Sequence, residues 1–312
     1  GLTVRHLLGG KDLAGLMAYA VVLFLPVVFL NSAVWAQCDS IYTSFCVMSF
    51  YFLLRGRGRL SMALYGVAFS FKLQAVFFAP AAVVFFLKGR LKFSDLLFFV
   101  LAYFLCALPA VIAGMSLVDA LCGAYLIQTN EYDRITLNAP NLYQFLSDSY
   151  NVSPELGNML IFFAFGVCAI FCTYFYRADY RLDDKGMLLI AYLFSVLLPF
   201  VLPHMHERYF YMADIFAVIF TFVYPKKAYI SAATAYCSLR AVVMFLFDGS
   251  GTKGSLTQVA VLMGAAIAAL CIFVVGELKK KKAREGAGAP ETVSAPLYVQ
   301  RTAEEVSDGK ES

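Results

Sequence analysis

The chain has 312 residues, 61% hydrophobic and 15% charged, with a mean hydropathy of +0.72 and a formal net charge of +4. A soluble domain carries about 25% charged residues, so the composition excludes an ordinary soluble enzyme and points to a polytopic helical membrane protein. Nucleic-acid binding has no support either, because the Lys and Arg residues sit in short loops and one tail.

In chain order, the first element is an apolar run over 13–30, preceded by Arg5, His6 and Lys11. It is too long for the core of a signal peptide and predicts a spanning helix. Asn31 to Asp39 follows, with the one tryptophan, Trp35, and then apolar runs over 38–54 and 60–87 separated by Arg55-Gly56-Arg57-Gly58-Arg59. Next come a run over 94–113, a more polar stretch over 114–157, and apolar runs over 158–176, 186–203, 207–224, 228–246 and 256–276. From about residue 283 the chain is rich in Glu, Gly, Ala and Ser without apolar periodicity, which predicts a disordered cytoplasmic tail. The expected organisation is a transmembrane unit, 1–282, with an outer loop at 114–157, and a tail, 283–312. Cys46, Cys106, Cys168, Cys172, Cys237 and Cys271 lie inside apolar runs and read as core residues. Cys38 and Cys122 fall near the outer face, and whether they pair is open.

Basic residues cluster at 55–59, 88–92, 177–185, 226–227 and 279–284. The positive-inside rule puts these in the cytoplasm. The connections 31–37, 114–157, 203–206 and 247–255 hold no basic cluster and belong outside. Every run then alternates except 60–87, whose ends are both basic. A re-entrant helical pair turning near Lys72-Leu73-Gln74 satisfies the rule, since arms of about a dozen residues are too short to cross. One long tilted helix with Lys72 snorkelling is the alternative. The prediction is an all-α transmembrane bundle of about eight spans plus the hairpin, N-in and C-in.

Polar side chains in such a chain are costly unless they face water, a partner or a substrate. Four groups fall on the outer side. The first is Asn31, Trp35, Gln37 and Asp39. Trp35 suits an interfacial anchor and Asp39 a helix cap, but neither role accounts for Asn31 and Gln37 beside them. The second is Lys72 with Gln74, where the ammonium needs an anion, either a phosphate or a carboxylate. The third lies in 114–157, where Gly114 to Thr129 reads as an interfacial amphipathic helix. Asn130 to Arg134 follows, then Asn138, Asn141, Tyr143 and Gln144. Amides and aromatics suit sugar hydroxyls, and the same residues are ordinary turn formers. Asn151-Val152-Ser153 is a glycosylation sequon, meaningful only in a eukaryotic lumen. The fourth group packs His204, His206, Glu207 and Arg208 where the 207–224 helix is expected to begin. Helix N-termini favour anions, and Arg208 adds a bidentate fork. A metal held by His204, His206 and Glu207 is the weaker alternative, since the pattern is not H-E-x-x-H. Asp214 and Arg240 fall at matching depth in consecutive antiparallel helices and predict an intramembrane ion pair.

Taken in order, these stretches read N-S-x-V-W-x-Q-x-D-S-I-Y, K-L-Q-A-x-F-x-x-P, N-A-P-N-L-Y and P-H-M-H-E-R-Y-F-Y. Over residues 10–225 the chain resembles the bacterial multi-spanning glycosyltransferases related to GPI mannosyltransferases, within the GT-C superfamily. The resemblance implies transfer of mannose or another hexose from a polyprenyl-phosphate donor to a lipid or glycan acceptor. It places that reaction on the outer face of the plasma membrane; no cofactor is firmly implied, and a divalent metal is the weaker alternative. It also implies a catalytic carboxylate in a first large outer loop, expected upstream of Gly1, with Asp39 and Glu207 as fallback candidates. Lys72, Arg208 and His206 would then bind the donor phosphate. Asn31, Trp35, Gln37, Asp39, Gln74, Asn138, Asn141, Tyr143, His204, Glu207 and Tyr209 would line the substrate site. The rival classes are a transporter or flippase of lipid-linked sugars and a non-catalytic assembly subunit. No internal repeat of the transporter kind is visible.

Overall fold

The computed structural model describes residues 1–123, 134–146, 153–178, 180–247 and 253–286. Among these, five helices are long and apolar enough to cross a membrane: Phe93–Ile112, Pro154–Arg177, Asp184–Val201, Pro225–Phe247 and Leu256–Lys280. A sixth span results if Asp12–Phe24 and Pro26–Val34 count as one bent pair. The protein is therefore an all-α polytopic membrane protein. Fewer helices reach full length than the eight expected, because Asp39–Leu54 and Tyr211–Val223 are shorter and the 13–30 run is bent.

Asp184–Val201 and Tyr211–Val223 occupy the centre, and nearly every residue of both is buried. Helices apolar all round suit such a position. Phe93–Ile112 lies at the edge, where Asp95 is its one buried residue. Between them Phe50, Phe78, Phe85 and Phe216 pack ring against ring. Gly66 lets Gly58–Phe71 approach Phe93–Ile112 closely, since a Cβ there would collide with the Phe99 carbonyl. Small residues serve this purpose between membrane helices.

Two apolar runs are broken, 13–30, which was expected to be one helix, and 60–87, which was expected to turn near Lys72. Leu25 is extended (φ −63°, ψ 123°) ahead of Pro26, and the helices on either side meet at 51°. A proline disfavours the helical region for the residue before it. The second break is at Lys72, also extended (φ −160°, ψ 134°), between Gly58–Phe71 and the 3-10 stretch Leu73–Phe78 that leads into Ala79–Leu87. The chain reverses there instead of continuing as one long helix. Tyr65 Oη donates to the Ala75 carbonyl at 3.1 Å, and the Tyr65 and Phe78 rings lie 5.5 Å apart. A straight helix would separate those two residues by about 20 Å.

Several basic connections gather at one end of the bundle. Arg90 and His6 both meet Asp184, the latter at 2.9 Å, and Lys88 reaches the carbonyls of Ala178 and Tyr180. Asp95, which accepts the Lys92 amide at 3.0 Å, abuts Gly58.

The expected Asp214–Arg240 pair does not form. Asp214 Oδ2 accepts instead from Ser238 Oγ at 2.7 Å. Matching depth was not enough, because Arg240 lies two residues beyond Ser238, about 200° further round the helix. The last helix runs Lys253–Gly286, through the basic stretch where the span was expected to have ended. The remaining tail, residues 124–133 of the outer loop and Asn151 of the sequon lie outside the described residues. Cys38 and Cys122 are free thiols.

Candidate functional site

The first wall of the site comes from the segment joining Pro26–Phe29 to Asp39–Leu54. Leu30–Val34 forms a π-helical turn, Ala36 takes a left-handed conformation (φ 56°), and the Gln37 amide donates to the Asn31 carbonyl at 3.0 Å. An alanine with positive φ is uncommon and costs of order 1 kcal/mol. This folding-back places Asn31 beside Asp39, both fully buried, with Asn31 Nδ2 donating to Asp39 Oδ2 at 3.0 Å. Gln37 is half-buried.

The second wall is the reversal after Phe71. Lys72 Nζ donates to Asp39 Oδ1 at 2.6 Å and lies 5.9 Å from the Tyr42 ring and 5.8 Å from the Tyr209 ring. The anion for this ammonium is thus a carboxylate of the same chain. Of the two readings of Lys72, the internal ion pair is the arrangement found. Gln74, one residue into the 3-10 stretch, is buried.

The third wall is a loop pinned by a short ladder. Thr136–Leu137 pairs in parallel with Met205–His206. The His204 amide donates to the Ile135 carbonyl at 2.8 Å, and the Glu207 amide to the Leu137 carbonyl at 3.2 Å. Asn138 and His204 are both left-handed (φ 60° and 59°). This ladder explains why the expected 207–224 helix begins only at Tyr211. With 205–207 drawn out straight, Glu207 and Arg208 sit in a turn and not in the first helical turn. The argument from a helix N-terminus therefore does not apply to Arg208.

Asn141 and Tyr143 serve the loop itself. Asn141 Oδ1 accepts the Tyr143 amide at 3.1 Å and its Nδ2 reaches the Leu202 carbonyl at 3.4 Å. Tyr143 Oη donates to the Val201 carbonyl at 2.8 Å, with its hydroxyl pushed up to about 12 by burial. Gln144 holds the Ala139 carbonyl at 2.8 Å. The Asn141 and Tyr143 contacts occupy carbonyls left open where Asp184–Val201 ends. In this structure Asn141 and Tyr143 anchor the turn. Asn138 is exposed, and the His204 ring is tied to the Arg134 carbonyl at 2.7 Å through Nδ1.

Glu207 is fully buried and carries the second ion pair, with Arg208 Nη1 at 3.1 Å from Oε1; His206 Nδ1 stands 3.8 Å from Oε2. The Arg208 guanidinium lies 5.0 Å from the Trp35 ring and 5.6 Å from the Tyr209 ring. Trp35 in turn stacks on Phe245 at 4.8 Å. Trp35 is therefore a platform for Arg208, and Phe245 a supporting residue that no local sequence signal marks. Tyr209 joins the two ion pairs, since Lys72, Arg208 and the His206 ring (5.1 Å) all pack against it.

Buried polar atoms in these walls without a hydrogen-bond partner include Asn31 Oδ1, Gln74 Oε1, Glu207 Oε2 and Arg208 Nε. Native proteins satisfy nearly all such groups, so a concentration of them calls for a ligand or water. Among the described residues, no group of three or more His, Cys, Asp and Glu side chains is arranged to hold a metal.

A family described as ALG3 protein matches residues 36–192. The chain belongs to the ALG3 family. ALG3 proteins are membrane mannosyltransferases that use lipid-linked sugars, and membership makes this protein a glycosyltransferase of that family. No curated protein and no solved structure matches the chain. The ALG3 match takes in Gln37, Asp39, Lys72, Gln74 and the 138–143 loop, and stops short of His204 to Tyr209. The fold nevertheless brings that last segment against the ALG3 portion, through Tyr209 on Lys72.

Proposed function

We propose that the protein transfers mannose from a polyprenyl-phosphate donor to a lipid or glycan hydroxyl, in a GT-C-type reaction on the extracytoplasmic face of the plasma membrane. The supporting observation is the clustering of partnerless buried polar atoms around the two adjoining ion pairs, Asp39–Lys72 and Glu207–Arg208. An ammonium has three N–H donors and a guanidinium five, so each cation retains donors after meeting its carboxylate. Those donors suit the phosphate oxygens of the departing polyprenyl phosphate, and low-dielectric surroundings strengthen such contacts as charge develops. Asn31, Gln74 and Gln37 supply amides for sugar hydroxyls, while Asn138 and His204 stand at the loop edge.

In the reaction, the acceptor oxygen attacks the anomeric carbon as a carboxylate takes its proton. The bond from that carbon to the phosphate oxygen breaks, and polyprenyl phosphate leaves with the electron pair. Of the two carboxylates considered, Asp39 has both oxygens engaged, by Lys72 and Asn31. Glu207 keeps Oε2 without a hydrogen bond and is the better base of the pair. In the proposed topology the basic end faces the cytoplasm, residues 1–282 form the transmembrane unit and the remainder is a cytoplasmic tail.

The test is mannose transfer from a polyprenyl-phosphate mannose to extracted membrane acceptors, using the full-length protein in detergent. Wild type is expected to transfer. Arg208→Gln is expected to lose about a hundredfold in rate, the size seen when one oxyanion donor is removed. Normal transfer by both Arg208→Gln and Lys72→Gln would defeat the phosphate assignment.

A further inference from the structure

A cavity of about 460 Å³ opens at the other end of the bundle between 56–60 and 92–95. The Asp39–Leu54 helix, 16 residues and so about 24 Å long, separates it from the two ion pairs. Arg57, Arg59, Lys92 and Ser94 line the cavity together with one carboxylate, Asp95. Asp95 is already engaged, since Oδ2 accepts the Lys92 amide and caps Phe93–Ile112.

Several other basic residues at this end have internal partners. Arg5 meets Asp12, His6 and Arg90 meet Asp184, and Lys88 meets two carbonyls. Arg57, Arg59 and Lys92 differ: among the described residues none of them forms an ion pair. The Arg57 guanidinium lies 6.0 Å from the Phe52 ring and that of Arg59 5.7 Å from the Phe98 ring. These contacts steady the forks without neutralising them. Gly58–Phe71 also starts at the cavity with no side-chain cap, so its first-turn amides lack intrahelical acceptors. Beside the cations, Phe93 (72% exposed), Leu97 (59%) and Leu60 (39%) present apolar surface outward.

We propose that this cavity binds the phosphate headgroup of an anionic phospholipid. Unpaired cations and open helix amides match phosphate oxygens, and basic pockets between transmembrane helices are where such headgroups bind. The exposed Phe93, Leu97 and Leu60 favour a lipid over free phosphate, because they offer the acyl chains an apolar wall directly beside the headgroup. A lipid there would bridge the starts of two helices, one of which ends at Lys72.

The test uses the full chain in nanodiscs of mixed phosphatidylcholine and phosphatidylglycerol, with retained lipid counted by native mass spectrometry. Wild type is expected to enrich phosphatidylglycerol about tenfold over its bulk share. The Arg57→Gln/Arg59→Gln/Lys92→Gln variant should lose most of that enrichment, while Lys279→Gln/Lys280→Gln, basic but outside the cavity, should keep it. Equal retention of the two lipids by wild type would overturn the proposal, and so would undiminished enrichment in the triple variant. Displacement of the lipid by millimolar inorganic phosphate would assign the cavity to a free anion and overturn it as a lipid site. If the triple variant does not fold, the two-lipid comparison on wild type decides by itself. Sugar transfer is not the readout, so the outcome does not depend on the proposed reaction.

Discussion

Arg208 illustrates how one residue can carry charge, shape and packing at once. Its fork meets a fully buried glutamate while its plane packs against Trp35 and Tyr209. A lysine keeps the charge but neither the plane nor the fork. Arg208→Lys is therefore expected to recover less transfer than its retained charge would suggest, measured as initial rate against wild type; full recovery would reduce Arg208 to a point charge. Asn138 poses a different question, because its left-handed backbone is one that glycine adopts without strain. Asn138→Gly should leave the unfolding midpoint within about 0.5 kcal/mol of wild type, whereas Asn138→Val should cost about 1–2 kcal/mol. A fall in transfer with the glycine variant at unchanged stability would place the amide on the substrate. Unchanged transfer would leave it a turn residue.

Among the elements, the Lys72 reversal and the 134–146 loop bear most on the site. The reversal is held by Lys72 on Asp39, and breaking a buried pair from one side leaves an uncompensated charge. Asp39→Asn is expected to lose about 3–5 kcal/mol, and Asp39→Leu/Lys72→Met to regain most of it, since apolar replacements of both partners are often neutral. Denaturation in detergent checks this; a double variant no more stable than the single would remove the pair as the cause. For the loop, Tyr143→Phe deletes the bond to the Val201 carbonyl and should cost about 1 kcal/mol. Burial pushes the folded hydroxyl up to about 12 from an ordinary value of about 10. The Tyr143 contribution is therefore complete below pH ~10 and fades as pH rises towards ~12. That rise in pKa is equivalent to about 2.7 kcal/mol, more than the bond itself. In melting curves wild type should therefore fall to the variant's stability above pH ~10 and below it by pH ~12, while the two stay parallel at neutral pH.

At the scale of the whole molecule, the polar chemistry is split between two ends. The paired charges around Tyr209 occupy one, and the basic connections 55–59, 88–92 and 177–185 occupy the other. The proposed topology then predicts that Cys38, exposed near the first end, reacts with a membrane-impermeant maleimide from outside intact cells. An Arg57→Cys chain with no other cysteine should react only after permeabilisation. Labelling of both from the same side would overturn the arrangement.

Composition and local pattern by themselves determined that the chain is helical and membrane-embedded, that it turns near Lys72, and which side chains are costly to bury. Those properties follow from hydropathy, proline stereochemistry and charge counting, each local along the chain. The motif resemblance pointed to a sugar-transferring membrane family, and the ALG3 match agrees at that level. Only the tertiary structure decided which charges meet. Asp39 and Lys72 lie 33 residues apart and pair, whereas Asp214 and Arg240, equal in depth, do not. Asn141 and Tyr143 were legible as polar and aromatic, but their use as loop anchors required the open carbonyls of Leu202 and Val201. The start of the helix at Tyr211 was likewise set by a ladder to residues almost seventy positions away. The physical reason is common to all of these: a side chain's partner depends on rotation about a helix axis and on long-range backbone pairing, neither of which is encoded in its immediate neighbours.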